Sequence, residues 1–388
     1  MRRAGVPRIV LLPGDGIGPE VMAAATEVLA AVGTFDLAEH PIGADAIRAY
    51  GVPLADRTLA ACAEADAVLL GAVGAGAVGA GAVGAGAGAA GSAGAGAPHD
   101  APRPEQGVLD LRSGLGVYAN LRPVRTMPGI THLSALRTDR AADVDLVVVR
   151  ELTGGIYYGP RGDVRDMPGE GVPRPAGDGP ARRAVFDTCV YSADEIERVA
   201  RTAFELARER ARPGRPPRVT SVDKANVLTT SRLWREVVQE VADRDFGDVV
   251  LDHLLVDTAA MLLVTDPGRF DVILTENMFG DILSDETAAI IGSLGCLASA
   301  SLTGLGAGGG LFEPVHGSAP DIAGKGVANP VGMILSVALM LRFGLRMAEV
   351  ANAVEAAVQN ALAAGTRTPD LGGDATTTQM TNAIVKSL

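Results

Sequence analysis

The sequence is poor in the features that would tie it to an oxidising compartment, a membrane or a nucleic acid. Cysteine occurs three times in 388 residues, at Cys62, Cys189 and Cys296, with no Cys-x-x-Cys pair and no accompanying histidine cluster. Thiols so few and so widely spaced exclude a disulfide framework and read as reduced, packed side chains in a cytosolic protein. Long apolar runs are also missing. After Met1-Arg2-Arg3 the first apolar segment meets Pro13-Gly14 and is too short for a secretory leader. The stretch 71–97 is almost all Ala and Gly and lacks the bulk of a membrane span. Basic charge is in deficit too, with 34 Lys and Arg against 46 Asp and Glu, a formal net charge of −12. That balance argues against nucleic acid or anionic lipid as the main partner. A soluble, cytoplasmic protein is expected, in which a local gathering of arginines carries meaning.

What is present is globular. Hydrophobic residues make up 47% and charged residues 21%, and the length suits two lobes of ordinary size. Buried strands are expected at Arg8 to Leu12, Ala67 to Leu70, Asp145 to Val149, Arg218 to Val222, Val249 to Leu251 and Val272 to Thr275, with helical patterns between most of them. Pro19-Glu20 opens one helix. Ser192-Ala-Asp-Glu195 is a capping box before the amphipathic run Ile196, Val199, Ala203, Phe204, Leu206. Alternating strands and helices imply an α/β architecture. Two stretches stand apart. Residues 72–96 repeat Ala-Val-Gly-Ala-Gly and then degenerate, which reads as a flexible insertion, and 161–183, rich in Pro, Gly and Arg, reads as an exposed excursion.

Gly14-Asp15-Gly16-Ile17-Gly18 follows a strand and invites a dinucleotide-binding reading. The Rossmann fingerprint requires glycine three residues after the second one, and that position is Pro19. A Rossmann domain is therefore not expected, and a cofactor must be argued from elsewhere.

The chemistry lies in three groups. Asp281 and Asp285 are four residues apart, so on a helix both carboxylates share one face. Oxygen-only ligands of this kind suit Mg²⁺ or Mn²⁺. Asp257 sits in Leu-Leu-Val-Asp-Thr-Ala-Ala-Met, where an acid needs a partner or a metal. Arg112, Arg122 and Arg150 each lie beside apolar or turn sequence, and guanidinium forks grip carboxylates two-pronged. Three of them suggest a dicarboxylate substrate. Lys224, closing a strand, and Tyr157, after the Gly154-Gly155 turn, are candidates for proton transfer. A lysine near a cation and arginines is expected to have its pKa lowered.

Taken in order, Leu-Pro-Gly-Asp-Gly-Ile-Gly-Pro-Glu, Arg-Glu-Leu-Thr-Gly-Gly-Ile-Tyr, Val-Asp-Lys-Ala-Asn-Val, Gly-Asp-Ile-Leu-Ser-Asp and Glu-Pro-Val-His-Gly-Ser-Ala-Pro-Asp-Ile-Ala-Gly-Lys resemble the β-decarboxylating hydroxyacid dehydrogenases, the family of isopropylmalate and isocitrate dehydrogenases. The likeness covers the chain except 72–102 and 161–183. It implies two α/β lobes around a mostly continuous mixed sheet, the first from 1–117 and 292–388 with the insertion at 72–97, the second from 118–291 with the metal site and a homodimer contact.

The resemblance also distributes roles. Arg112, Arg122 and Arg150 would bind the malate-like carboxylates, and Asp257, Asp281 and Asp285 the metal, with Lys224 and Asp257 offered across the dimer. Lys224 would help take the C2-hydroxyl proton and Tyr157 would help protonate C3. The cofactor would sit on His316-Gly317-Ser318-Ala319-Pro320-Asp321, with Asn329 nearby and Glu105 toward the nicotinamide. Asp321 favours NAD over NADP, since an acid accepts ribose hydroxyls and repels a 2′-phosphate. Val108 and Leu109, with Val227, fall where isopropylmalate enzymes wall the isopropyl group; isocitrate enzymes place polar residues near there. The expected reaction is oxidation and decarboxylation of (2R,3S)-3-isopropylmalate to 2-oxoisocaproate in leucine biosynthesis. The same chemistry on D-malate, tartrate or homoisocitrate stays open, as does a non-catalytic NAD-binding or scaffold protein impaired by the insertion. One departure stands out: the family's compact Gly-Gly-Pro-Lys-Trp-Asp-like segment near the nicotinamide is replaced by the Ala/Gly repeat.

Overall fold

The computed structural model describes residues 5–74, 102–142, 144–163 and 184–388. The Ala/Gly repeat from residue 75 onward and most of the 161–183 excursion lie outside them. The described strands are β1 (Arg8–Gly14), β2 (Asp36–Glu39), β3 (Ala67–Ala72), β4 (Ala119–Arg125), β5 (Asp145–Glu151), β6 (Arg161–Asp163), β7 (Val185–Asp187), β8 (Arg218–Asp223), β9 (Val250–Leu255), β10 (Val272–Thr275), β11 (Ala298–Leu302) and β12 (Leu311–Pro314). Ten of them form one mixed sheet, ordered β2-β1-β3-β12-β11-β4-β5-β10-β8-β9, while β6 and β7 pair as a separate hairpin. All six expected strands are present, and the fold is α/β.

The sheet has two parallel blocks joined by antiparallel strands. β2, β1, β3 and β12 run together, as do β5, β10, β8 and β9. β11 is antiparallel to both β12 and β4, and β4 to β5, so the two blocks point in opposite directions. One block comes from both chain ends and the other from the middle. Parallel blocks are covered on both faces, which is why β1 and β3 read as unbroken apolar runs. Ile9, Leu11 and Leu69 enter the main core, whereas Val10, Leu12, Val68 and Leu70 enter a second cluster across the sheet.

Helices supply the cover. The capping box forms as expected: the Ser192 hydroxyl accepts from the Glu195 amide and the Glu195 carboxylate accepts from the Ser192 amide, opening the helix Ala193–Arg210. The helix Val331–Leu339 is apolar nearly all round and lies against β11 and β12. Chain ends meet where Glu20 accepts from the Ala328 amide at 3.0 Å and from the Thr377 hydroxyl. None of the described helices is long and apolar enough to cross a membrane. Cys62 and Cys296 are buried thiols and Cys189 is half-buried.

The single tryptophan anchors the middle block. Trp234 is 2% exposed, donates its indole N–H to Ser221 Oγ at 3.2 Å and meets the Tyr191 ring edge-on at 5.7 Å. Trp234→Ala is expected to lower stability by about 3–5 kcal/mol, the usual cost of emptying an aromatic core site, measured by urea denaturation followed by circular dichroism.

Candidate active site

The antiparallel strands β11 and β4 put polar side chains on one face of the sheet, at the seam between the blocks. Register opposes Asn120 to both Arg150 and Ser301, and Ser299 to Glu313, and Arg122 lies two residues along β4 on the same face as Asn120. A cavity of about 390 Å³ opens over this face. The helix Pro104–Gly114 forms another wall. Glu105, Val108, Leu109 and Arg112 recur at helical spacing, and all four line the cavity. Ten of the residues expected from sequence are brought together there: Glu105, Val108, Leu109, Arg112, Arg122, Arg150, Tyr157, Asp281, His316 and Gly317.

Arg122 and Arg150 are buried and Arg112 is nearly so, and each needs a partner. Arg150 gives Nε and Nη2 to Asn277 Oδ1 at 3.0 and 2.8 Å, and Nη1 to Asp281. Burial nonetheless draws its pKa down to about 10, which leaves it charged at neutral pH. Arg122 donates to Asn120 Oδ1 at 2.9 Å, Ser284 Oγ at 2.6 Å and Asp285 Oδ1 at 3.3 Å, and stands 3.5 Å from Asp281. Arg112 is bound by Glu313 at 2.7 Å. Burial works against the Arg112 cation, and the Glu313 carboxylate more than offsets it.

Asp281 and Asp285 share a face of the helix Asn277–Ile291, as their spacing predicts. Gly280 lets that helix close on the sheet, since a β-carbon there would stand 2.3 Å from Thr275 Oγ1 and 2.7 Å from Arg150 Cγ. Burial tends to raise the Asp281 pKa, but Arg150 and Arg122 hold it below the usual carboxylate range. Asp285 goes the other way, lifted by burial and by the neighbouring Asp281 charge. The donor set is all oxygen, which fits a hard divalent cation. Among the described residues no three acidic, His or Cys side chains gather into one metal-holding group, so one chain offers two of the three expected ligands together.

Tyr157 donates its hydroxyl to Asp281 Oδ2 at 3.0 Å. Burial, with the Asp281 charge, pushes the phenol up to about 12. Glu151 holds the turn that carries it, accepting from the Thr153 and Gly154 amides at 2.8 Å each.

Lys224 and Asp257 are placed apart from this cluster. They form an ion pair at 2.7 Å beyond the end of β8, two strands from β5, which is roughly 10 Å across a sheet. Asp257 is exposed, so its apolar sequence context does not bury it as expected, and the Lys224 ammonium faces that acid. Val227, in the turn after Lys224, is exposed. None of the three lines the cavity.

On the expected cofactor loop, His316 donates Nδ1–H to the Gly317 carbonyl at 3.0 Å, which leaves Nε2 as a buried acceptor with no protein partner. Burial keeps this imidazole below its ordinary pKa, hence neutral. An orphaned acceptor on a cavity wall fits a ligand hydroxyl or amide. Ser318 is buried, Ala319 takes a left-handed φ of +37°, and Gly317, Pro320 and Asp321 are exposed. The Asn329 side chain turns inward instead, bonding Asp370 Oδ2 at 2.9 Å and the Val331 amide at 3.0 Å.

Sequence reasoning missed Glu313, Ser299 and Arg161 on the cavity wall, and the supports Asn120, Ser284 and Asn277. Glu313 and Ser284 lay inside quoted motifs and Arg161 at the edge of the 161–183 excursion, but nothing in the sequence marked them, Ser299, Asn120 or Asn277 as site residues. Because Asp281 is held low in the folded chain, it contributes stability that is fully present above the unfolded-state value near pH 3.9. That contribution is lost as pH falls through the lower folded-state value. Asp281→Asn is therefore expected to melt below the wild type at pH 6–8, with the gap in Tm shrinking below about pH 4. A gap independent of pH would rule this out.

Known proteins resemble this chain over nearly its full length. The family described as "Isocitrate/isopropylmalate dehydrogenase" matches residues 8–384. The chain is 50% identical to the 3-isopropylmalate dehydrogenase of Deinococcus radiodurans over 99% of its own length and 98% of the relative's. It is 48% identical to that of Shouchella clausii, covering 98% and 97%. Among solved structures, isocitrate dehydrogenase from Methylococcus capsulatus superposes with a TM-score of 0.79 at 35% identity, over 98% and 99% of the two chains. A β-decarboxylating dehydrogenase from Thermococcus kodakarensis does so at 0.74 and 34%, over 98% and 96%. With its arginines, acids and tyrosine gathered on one sheet face, the chain belongs to the isocitrate/isopropylmalate dehydrogenase family.

Proposed function

We propose that the protein is a cytoplasmic, homodimeric, NAD- and divalent-metal-dependent enzyme that oxidises and decarboxylates 3-isopropylmalate in leucine biosynthesis. The observation that carries the substrate is one helix face. Arg112 stands one turn beyond Val108 and Leu109, so a carboxylate grip and an apolar wall open on the same cavity. Methyl groups against such a wall gain roughly 25 cal/mol per Å² buried, whereas a third carboxylate there would lack partners. The 46–50% identical relatives that carry this enzyme's name support the same reading.

The roles follow from the side chains. Arg112, Arg122 and Arg150 bind and orient the two carboxylates. Asp281 and Asp285, with Asp257 from a second copy, hold the metal, which when bound supplies Lewis-acid stabilisation of developing negative charge. Lys224, held by Asp257 at 2.7 Å, would take the C2-hydroxyl proton as the free amine, after releasing its own proton to solvent. Tyr157, a phenol that burial and the Asp281 charge push up to about 12, holds its proton at neutral pH as any phenol does and is placed to give it to C3. The loop His316-Gly317-Ser318-Ala319-Pro320-Asp321 receives the nucleotide, with Asp321 on the ribose hydroxyls, Glu105 toward the nicotinamide and Asn329 through its main chain. Val227 extends the apolar wall of a neighbouring subunit's site. The lobes 1–117 with 292–388 and 118–291 close over the seam.

Dimerisation is supported by apolar surface on the two adjacent helices of the second lobe. Met261, Val264 and Ile282 are all exposed there. Mixing separately inactive Arg150→Ala and Lys224→Ala subunits is expected to restore turnover, because one site of each mixed dimer then has both residues. No recovery on mixing would refute shared sites. NADH formation with Mg²⁺ or Mn²⁺ should be fastest with 3-isopropylmalate among isopropylmalate, isocitrate, malate and tartrate, and EDTA should abolish it. Faster turnover of another acid would overturn the substrate.

A further inference from the structure

The Gly14-Asp15-Gly16-Ile17-Gly18 turn is not a Rossmann fingerprint, and none of the roles above uses it. Asp15 is 7% exposed, and both its carboxylate oxygens are engaged by main chain from two separate segments. Oδ1 accepts from Ala44 at 2.9 Å and Asp45 at 3.3 Å, and Oδ2 from Ala44 at 3.1 Å and Gly74 at 3.2 Å. The next residues reach a third segment. Ile17 donates its amide to the Ser318 carbonyl at 2.8 Å, and Gly16, at φ +59°, leaves no room for a β-carbon, which would stand 1.9 Å from that carbonyl oxygen. Gly74 itself closes on the loop: a β-carbon there would stand 3.0 Å from Ser318 Oγ.

We infer that Asp15 is a positioning residue for the nucleotide site: it ties the exit of β3 at Gly74 to the turn that grips Ser318, and so sets the spacing of the two cofactor-facing segments. This rests on assigning the Ser318 loop to NAD. The tie matters more here than in a chain with a side-chain-rich segment, because residues 75–97 offer only Gly, Ala, Val and one Ser. That stretch carries no long polar side chain.

Asp15→Asn separates positioning from folding. The amide keeps one acceptor oxygen, which best serves the Ala44 and Asp45 amides, and turns an NH₂ toward the Gly74 N–H, so that tie is lost. Ala44→Pro does the reverse at a first-turn position that tolerates proline, removing bonds on the helix side while Gly74 stays held. NAD⁺ affinity of the whole dimer, read by calorimetry, is expected to fall about five- to tenfold in Asp15→Asn, the worth of one buried hydrogen bond. The KM for the hydroxyacid and the melting temperature should stay near wild type, and Ala44→Pro should bind NAD⁺ normally. Should Asp15→Asn fail to fold, Asp15→Ser, whose shorter side chain falls short of the Gly74 N–H, is expected to show the same loss. Unchanged NAD⁺ affinity in the variant that folds, or equal weakening by Ala44→Pro, would overturn the inference. Wild type that binds no NAD⁺ would overturn the cofactor assignment and this inference with it. Binding without turnover would overturn only the reaction.

Discussion

Three guanidinium groups buried at one seam set the terms for the rest of the structure. A cation taken out of water is tolerated only with close anions or hydrogen-bond acceptors. Arg112 has Glu313, Arg150 has Asp281 and Asn277, and Arg122 has Asp285, Ser284 and Asn120. Those partners come from β12, from the helix Asn277–Ile291 and from β4, so each side of the seam neutralises its own arginines. Under the proposed function, a dicarboxylate would offer the arginines what Asp281 and Glu313 give them, and a divalent cation would offer Asp281 and Asp285 what Arg122 gives them.

The opposed directions of the two parallel blocks explain why the site lies at their seam. Only the antiparallel strands β11 and β4 join blocks of opposite sense, and their cavity face is polar: Ser299, Ser301, Asn120, Arg122. A polar sheet face would be costly in either fully covered block. At the seam it opens on a cavity, where ligand and water can satisfy it. Tyr157 and Asp281 illustrate the coupling that results, since the carboxylate held low by arginines is also the acceptor that keeps the phenol protonated.

The glycine turn after β1 shows how one motif can suggest the wrong chemistry. Its glycines serve close backbone approach to the β3 exit and to Ser318, and its acid holds main-chain amides. Phosphate cradling uses similar residues for a different purpose, which is why the third glycine position, occupied by Pro19, was the informative one.

Much was legible from sequence alone, and for identifiable reasons. Six strands and the capped helix at Ser192 follow from apolar runs and a local cap, both of which act within a few residues. The face shared by Glu105, Val108, Leu109 and Arg112, and that shared by Asp281 and Asp285, follow from helical spacing. The strands β4, β11 and β12 escaped, because a sequence such as Ala-Asn-Leu-Arg-Pro-Val-Arg carries Pro123 and polar residues that ordinarily argue against an interior strand. Pro123 is accommodated where the β11 ladder, which reaches only Leu121, has ended. Tertiary structure alone decided that Glu313 would bind Arg112 from two hundred residues away, that Asn329 would turn inward, and that Lys224 and Asp257 would pair apart from the arginines. Periodicity and capping encode what a residue does within its own element, and pairing across elements depends on register and chain reversal, which no local pattern records.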